Sequence, residues 1–294
     1  MMRFTARFER GQQAIWLLAP WLLGTCLLVL LPLLGTLGLL FTQYDVLSAP
    51  TWVGLTNITH VGNNPLFWRA ITNSLIFLAV AIPLRFGLTL GLGVVLAKPR
   101  PHARWYRTII YIPSLIPDVA YALLWLWIFN PIYGPLNLLL TALGLPPSPW
   151  LLDATSARMS LVLLTVFQIG DGFVMIIAGR QSLSQHYYDA AAVDGASPWQ
   201  QFRHITLPLL APWLVLLILR DCVVTLQQTI TTTALMTKGE PYYATLFLPS
   251  LIYQEAFDRF RFGPAAVMML ALFVGLGLIA VSVVMITRRT LGRG

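Results

Sequence analysis

Six apolar segments, each long enough to cross the roughly 30 Å hydrocarbon layer of a bilayer, constrain this chain more than any other feature. They are Ile15–Phe41, Ala70–Ala97, Tyr106–Phe129, Met159–Gly179, Thr206–Ile230 and Ala265–Thr287. In hydrocarbon every backbone N–H and C=O needs a partner within the segment, so a single stretch of this length folds as a helix. The predicted fold class is therefore all-α, a polytopic membrane bundle of six transmembrane helices with short cytoplasmic helices between them. Composition agrees: 57% of the 294 residues are hydrophobic and only 10% are charged, far from the soluble average. No loop is long enough for an independent domain. Residues 1–294 read as one transmembrane domain, with residues 1–69 giving a first helix and outer loop and residues 70–294 the core.

Positive charge accumulates in short cytoplasmic segments. Arg3, Arg7, Arg10, Lys98, Arg100, Arg104, Arg107, Arg180, Arg203, Arg288, Arg289 and Arg293 fall on one side, against Arg69, Arg158, Lys238, Arg259 and Arg261 on the other. The richer side is read as cytoplasm, which puts both termini there in a multi-pass protein of the cytoplasmic membrane. This bias and anionic lipid account for the net charge of +8. No basic stripe interleaves with a recognition fold, so nucleic acid is not expected as a partner. The first apolar stretch is too long for a signal peptide and lacks a small-residue cleavage pattern.

Signatures of catalysis are missing. There is no G-x-x-x-x-G-K-[ST], H-E-x-x-H, G-x-S-x-G or paired C-x-x-C. Cys26 and Cys222 lie inside spans, and His60, His102, His186 and His204 are scattered without ligand spacing. The chain is read as no enzyme, with no metal or cofactor of its own; if transport consumes ATP, another polypeptide binds the nucleotide.

Within the spans, ionisable groups are expensive and face a cavity or a partner. Arg85, Asp118, Asp171, Arg220 and Asp221 are of this kind, and Arg85 or Arg220 pairing with Asp118 is one expectation. Sugar hydroxyls need planar amides and carboxylates. Gln168 and Asp171, beside Gly170 and Gly172, supply them in the fourth segment, and Asp221, Thr225, Gln227 and Gln228 in the fifth. Gly87, Gly91 and Gly93 read as a close-packing face of the second helix.

Tyr187–Pro212 is a polar interruption between two very apolar segments. Asp189–Val193 predicts a short helix, Gly195 a reversal, and Ser197-Pro198 an N-cap with proline at the first helical position. A second short helix over Trp199–Ile205 is expected to stop at Leu207-Pro208. Asp189-Ala190-Ala191, then Asp194-Gly195-Ala196, then Ile205-Thr206-Leu207-Pro208 resemble the EAA loop of permease subunits of ATP-binding-cassette importers, with Asp189 in place of the leading glutamate; the loop spans residues 185–208. Phe129-Asn130-Pro131, Gly134, Leu136-Asn137 and Leu143-Gly144 narrow the resemblance to the carbohydrate-uptake branch, and to the type of the larger maltose-transporter permease. Thr237-Lys238-Gly239-Glu240-Pro241 departs from that group's glycine-richer T-x-G-G-P.

The resemblance implies a type I importer permease that works with a second permease, two nucleotide-binding subunits that hold ATP and Mg, and an extracytoplasmic sugar-binding protein. It implies that Tyr188, Asp189, Ala190, Ala191, Asp194 and Gly195 couple to an ATPase subunit. It also places Gln168, Asp171, Thr225 and Gln228 at or near substrate contacts. The expected cargo is a disaccharide, oligosaccharide or polyol. The rival readings are an ion- or proton-coupled secondary carrier working through Asp118, Asp171 or Asp221, and an importer of glycerol-phosphate-like anions.

Overall fold

The computed structural model describes residues 16–98 and 101–291. Arg3, Arg7, Arg10, Arg100, Arg293 and Ile15, used above for orientation and for the first span, lie outside the described residues. In chain order the elements are α1 Trp16–Leu39, β1 Thr42–Gln43, β2 Thr51–Trp52, α2 Thr56–Gly62, α3 Pro65–Ala97, α4 Ala103–Leu115, α5 Asp118–Ile128, α6 Pro135–Ala142, α7 Ala154–Phe167, α8 Gly170–Gln181, α9 His186–Val193, α10 198–209, α11 Ala211–Thr237, α12 Leu248–Tyr253 and α13 Phe262–Leu291. The fold is helical apart from the antiparallel pair β1–β2, which joins Thr42 to Trp52 and Gln43 to Thr51. Helices α1, α3, α11 and α13 are each long and apolar enough to span a membrane. The pairs α4–α5 and α7–α8 are bent by 99° and 42°, and counting each as one span gives up to six.

The chain divides into two compact units, one from residues up to 64 with 254–270, the other from 65–253 with 271 onward. In the first, α1 buries none of its side chains, and Leu17 and Leu28 are open to their surroundings. A helix apolar around its whole circumference suits hydrocarbon on all sides. Asn57, itself buried, donates Nδ2 to Leu40 O at 3.0 Å and to Thr42 O at 2.8 Å, fixing the turn that follows α1. A Cβ at Gly263 would meet Asn57 and Thr42 O at 2.4 Å, so only glycine fits there.

In the second unit, lipid is as apolar as leucine, and helices associate through close contact and polar bonds rather than through loss of water. Gly93 of α3 lies against Ile176 of α8; a Cβ there would come within 2.6 Å of that side chain. Gly172 and Gly179 of α8 face Leu217 and Trp213 of α11 with equally little room. The expected glycine face of α3 is therefore split. Gly93 packs inward, whereas Gly87 and Gly91 have nothing within 4 Å. Arg107 of α4 closes the end of α3 by donating Nε to Leu96 O at 3.0 Å, where the last carbonyls lack helical partners.

The loop after α5 is held by its own polar groups. Asn130 Oδ1 accepts from the N–H groups of Ile132 and Tyr133. Buried Asn137 donates to Pro131 O and Ser148 O, both at 2.9 Å, and accepts from Ser148 N at 3.0 Å and Trp150 Nε1 at 2.7 Å.

Candidate functional site

Both bent spans break for local reasons, and the breaks meet. Pro117 has no N–H to continue a helix, and it pushes Ile116 into extended backbone with ψ 128°. The third span, expected to run unbroken over Tyr106–Phe129, thus ends at Leu115 and restarts at Asp118. In the fourth, Gln168 leaves helical geometry at φ −100° and ψ 58°. The freed Gly170 N–H is donated to Ser114 Oγ at 2.9 Å, and Gln168 Nε2 reaches Pro113 O at 3.5 Å. A Cβ on Gly170 would sit 2.6 Å from Ser114 Oγ, so the two breaks approach this closely only through glycine.

A cavity of about 400 Å³ opens at this junction, walled by Ser114 to Asp118 at one break, by Gln168 and Asp171 at the other, by Arg85 of α3, and by Arg220, Val224, Gln227 and Gln228 of α11. Asp118 and Asp171 occupy the first turns of α5 and α8, where the helix dipole favours a carboxylate. Irregular backbone at this depth is tolerated where it lines a cavity. Gln228 Nε2 donates to Gln168 Oε1 at 2.7 Å across the break, while Gln228 Oε1 has no partner among the described residues.

The charges form one chain of pairs. Arg85, 3% exposed at its side chain, donates Nη2 to Asp221 Oδ1 at 3.4 Å and Nη1 to Thr165 O at 2.8 Å. Arg220 donates Nη1 to the same Asp221 oxygen at 3.1 Å and, with its other arm, bonds Asp171. The arginines therefore pair with Asp221 and Asp171, not with Asp118. Among the described residues Asp118 makes no ion pair, so Arg85 and Arg220 against Asp118, Asp171 and Asp221 leave one surplus negative charge.

Of the residues read as sugar contacts, Gln168, Asp171, Gln227 and Gln228 line the cavity. Asp221 and Thr225 stand behind its wall, 2% and 0% exposed. Positions 220, 224 and 227 make one helical stripe and 221, 225 and 228 the next, about 100° round the axis; of those last three, Gln228 is the one that lines the cavity. Asp221 acts here by fixing Arg85 and Arg220. Ser114 was not singled out from sequence; the signal was the Pro113-Ser-Leu-Ile-Pro117 run, which breaks a helix.

At the other end of α8, α9 covers His186–Val193 and Gly195 reverses the chain at φ 78°. Ser197 Oγ accepts from Gln200 N at 3.3 Å while Gln200 Oε1 accepts from Ser197 N at 2.7 Å, a reciprocal cap on α10. No interruption falls at Leu207-Pro208; a wide π-helical turn over Phe202–Thr206 carries α10 through to Leu209. Asp189, Asp194 and Val193 are exposed, as is Trp199. A hollow of about 340 Å³ beside Gly195 is lined in part by Ala191, Asp194 and His204. Tyr188 differs from its neighbours. It is buried, with its OH 2.9 Å from Thr206 Oγ1 and the Arg180 guanidinium 3.9 Å from its ring centroid.

Residues 86–291 match the family described as binding-protein-dependent transport system inner membrane component. The probable ABC transporter permease protein YesP of Bacillus subtilis is 33% identical over 267 residues, which is 89% of this chain and 86% of that one. The trehalose/maltose transport system permease protein MalF of Thermococcus litoralis is 30% identical over 73% of this chain and 74% of that one. In the crystal structure of a bacterial alginate ABC transporter in complex with an alginate pentasaccharide-bound periplasmic protein, one chain superposes with a TM-score of 0.83 at 20% identity, covering 99% of each chain.

Proposed function

Since the chain belongs to the family of binding-protein-dependent transport system inner membrane components, we propose that it is the permease of an ATP-driven importer that carries a neutral disaccharide, oligosaccharide or polyol. The observation that carries this reading is the cavity at the two helix breaks, with its amides and paired charges. Gln168, Gln227 and Gln228 suit hydroxyl groups, which need both donors and acceptors. Arg85 and Arg220 already face carboxylates. An anionic cargo would have to break one of those pairs and meet the surplus charge of Asp118, which disfavours glycerol-phosphate-like substrates. Names of relatives that handle maltose or trehalose support a sugar.

In this reading a second permease completes the transporter. Two ATPase subunits bind ATP and Mg and receive the exposed face of α9, with Asp189 and Asp194 offered to basic groups and Ala190, Ala191 and Gly195 allowing close approach. An extracytoplasmic binding protein delivers the sugar. The arginine bias puts α9 and both termini in the cytoplasm. Closure of the ATPase subunits then moves α9, and the cavity alternates between the two sides.

The test is ATP-dependent uptake of a labelled sugar panel by vesicles holding the full transporter, with and without Gly195→Pro. Proline cannot adopt φ 78°, so uptake should need ATP and collapse in the variant. Uptake that proceeds without ATP, follows an ion gradient and ignores Gly195 would instead establish the carrier.

A further inference from the structure

We infer that Arg180, Tyr188 and Thr206 form a clasp that transmits movement of α9 to the cavity, and that Tyr188 serves this transmission rather than the contact with the ATPase subunit. The inference rests on the importer reading and deepens it. Arg180 lies in the last turn of α8 and Thr206 in the turn that leads through α10 into α11. Tyr188 of α9 holds both, through its ring on one side and its hydroxyl on the other. Its 6% exposure leaves little of it for a partner.

The helices that the clasp joins at one end are the ones that wall the cavity at the other. Asp171 stands nine residues before Arg180, about 14 Å along α8, and bonds Arg220 of α11. Between the two ties, Gly179 lies against Trp213 and Gly172 against Leu217, contacts so close that a Cβ would come within 2.9 Å and 2.6 Å of them. Such packing transmits displacement because it has no slack to absorb it. Tyr188, Arg180, α8, Asp171, Arg220, α11 and Thr206 thus close a ring. A shift of α9 must carry both walls of the cavity or break the clasp. Asp171–Arg220, the cavity-side tie, is half open to solvent and is the bond a bound cargo would meet first.

The experiment uses the full transporter in proteoliposomes and measures sugar uptake and ATP hydrolysis in the same vesicles, so that cargo moved per ATP is the readout. Tyr188→Phe keeps the ring and removes only the hydroxyl; Thr206→Val removes its partner. Each should lower the ratio about fivefold, the weight of a hydrogen bond, and the double variant should be no worse than the single ones because they remove the same contact. Arg180→Gln should lower it about tenfold, with Arg180→Lys restoring most of it, since the cation over the ring is retained. The ATPase subunit should co-purify with all five variants in wild-type amount. An unchanged ratio in Tyr188→Phe and Arg180→Gln would overturn the clasp. Loss of the ATPase subunit in step with uptake would overturn it too, by returning Tyr188 to the contact surface. Wild-type vesicles without ATP-dependent uptake would overturn the importer reading first, and the clasp with it.

Discussion

The cavity and the α9 loop are both polar interruptions in an apolar chain, yet they treat their polar groups in opposite ways. At the cavity nearly every charge is matched within the chain: Arg85 and Arg220 share Asp221, and Arg220 reaches on to Asp171. At α9, Asp189 and Asp194 stay exposed beside Val193 and Trp199. Polar groups satisfied inside the chain build a wall that must hold its shape in a medium that offers them nothing. Groups left open in water cost the isolated chain little and remain available to a second protein. The contrast separates scaffold from contact surface.

Asp221→Ala breaks that contrast most severely. It strands the buried Arg85 and takes one of two carboxylates from Arg220, and it should destabilise the chain by about 3–5 kcal/mol, read as a fall in melting temperature in detergent. Asp194→Ala should stay within about 0.5 kcal/mol of wild type and instead weaken retention of the ATPase subunit. Equal melting for the two would end the distinction. Replacing Arg85 and Asp221 together by Met and Leu should recover much of the loss, because no unpaired charge is then left between α3 and α11.

Two glycines sharpen the comparison at smaller scale. Gly172→Ala places a Cβ 2.6 Å from Leu217 and 3.2 Å from Thr89, and overpacking of this kind costs about 1–3 kcal/mol. Gly195→Ala has open space around it but keeps φ at 78°, a left-handed strain of about 1–2 kcal/mol. The first should lower the melting temperature of the chain. The second should lower melting less than the first and reduce sugar-stimulated ATP hydrolysis. A reversal of those two effects would mean that the loop carries stability and the wall does not.

Asp153 offers the gentlest test, a group that is exposed yet satisfied by its own chain. Its carboxylate accepts from the N–H groups of Ser156 and Thr155 at the start of α7, and those bonds hold its pKa below the usual 3.8. A carboxyl with a lowered folded pKa contributes stability above its unfolded value and loses it as pH falls through the folded one. Wild-type protein should therefore lose slightly more melting temperature than Asp153→Asn between neutral pH and pH 3. Parallel melting curves across that range would show that pairing alone, without burial, leaves no trace on stability.

Much of the fold was legible because hydrocarbon permits so few alternatives. The lengths of the apolar segments, the reversal at Gly195 and the cap at Ser197 follow from local chemistry. What escaped the sequence depends on helix rotation and on breaks. The third segment reads as continuous by hydropathy, yet Pro117 turns it by 99° and so brings Asp118 to the start of a helix rather than its middle. Asp221 and Thr225 carry the right chemistry for sugar, but one residue of rotation turns them away from Gln227. Arg85 finds Asp221, and Arg220 finds Asp171, on another helix, so spacing along the chain contains no record of those two pairs. Tyr188 sits within the loop motif and only its burial separates it from Asp189.

Asn137 fills both its donors and its acceptor entirely from residues 131–150. The polar bonds that shape the loop are therefore its own, while Leu136 and Trp150 rest on the apolar core beneath it. It can be treated as a cassette: residues 129–150 moved into a related permease, onto an equivalent core, should keep their fold, and tags or probes attached near its tip should report on that end of the bundle without reshaping what they report on.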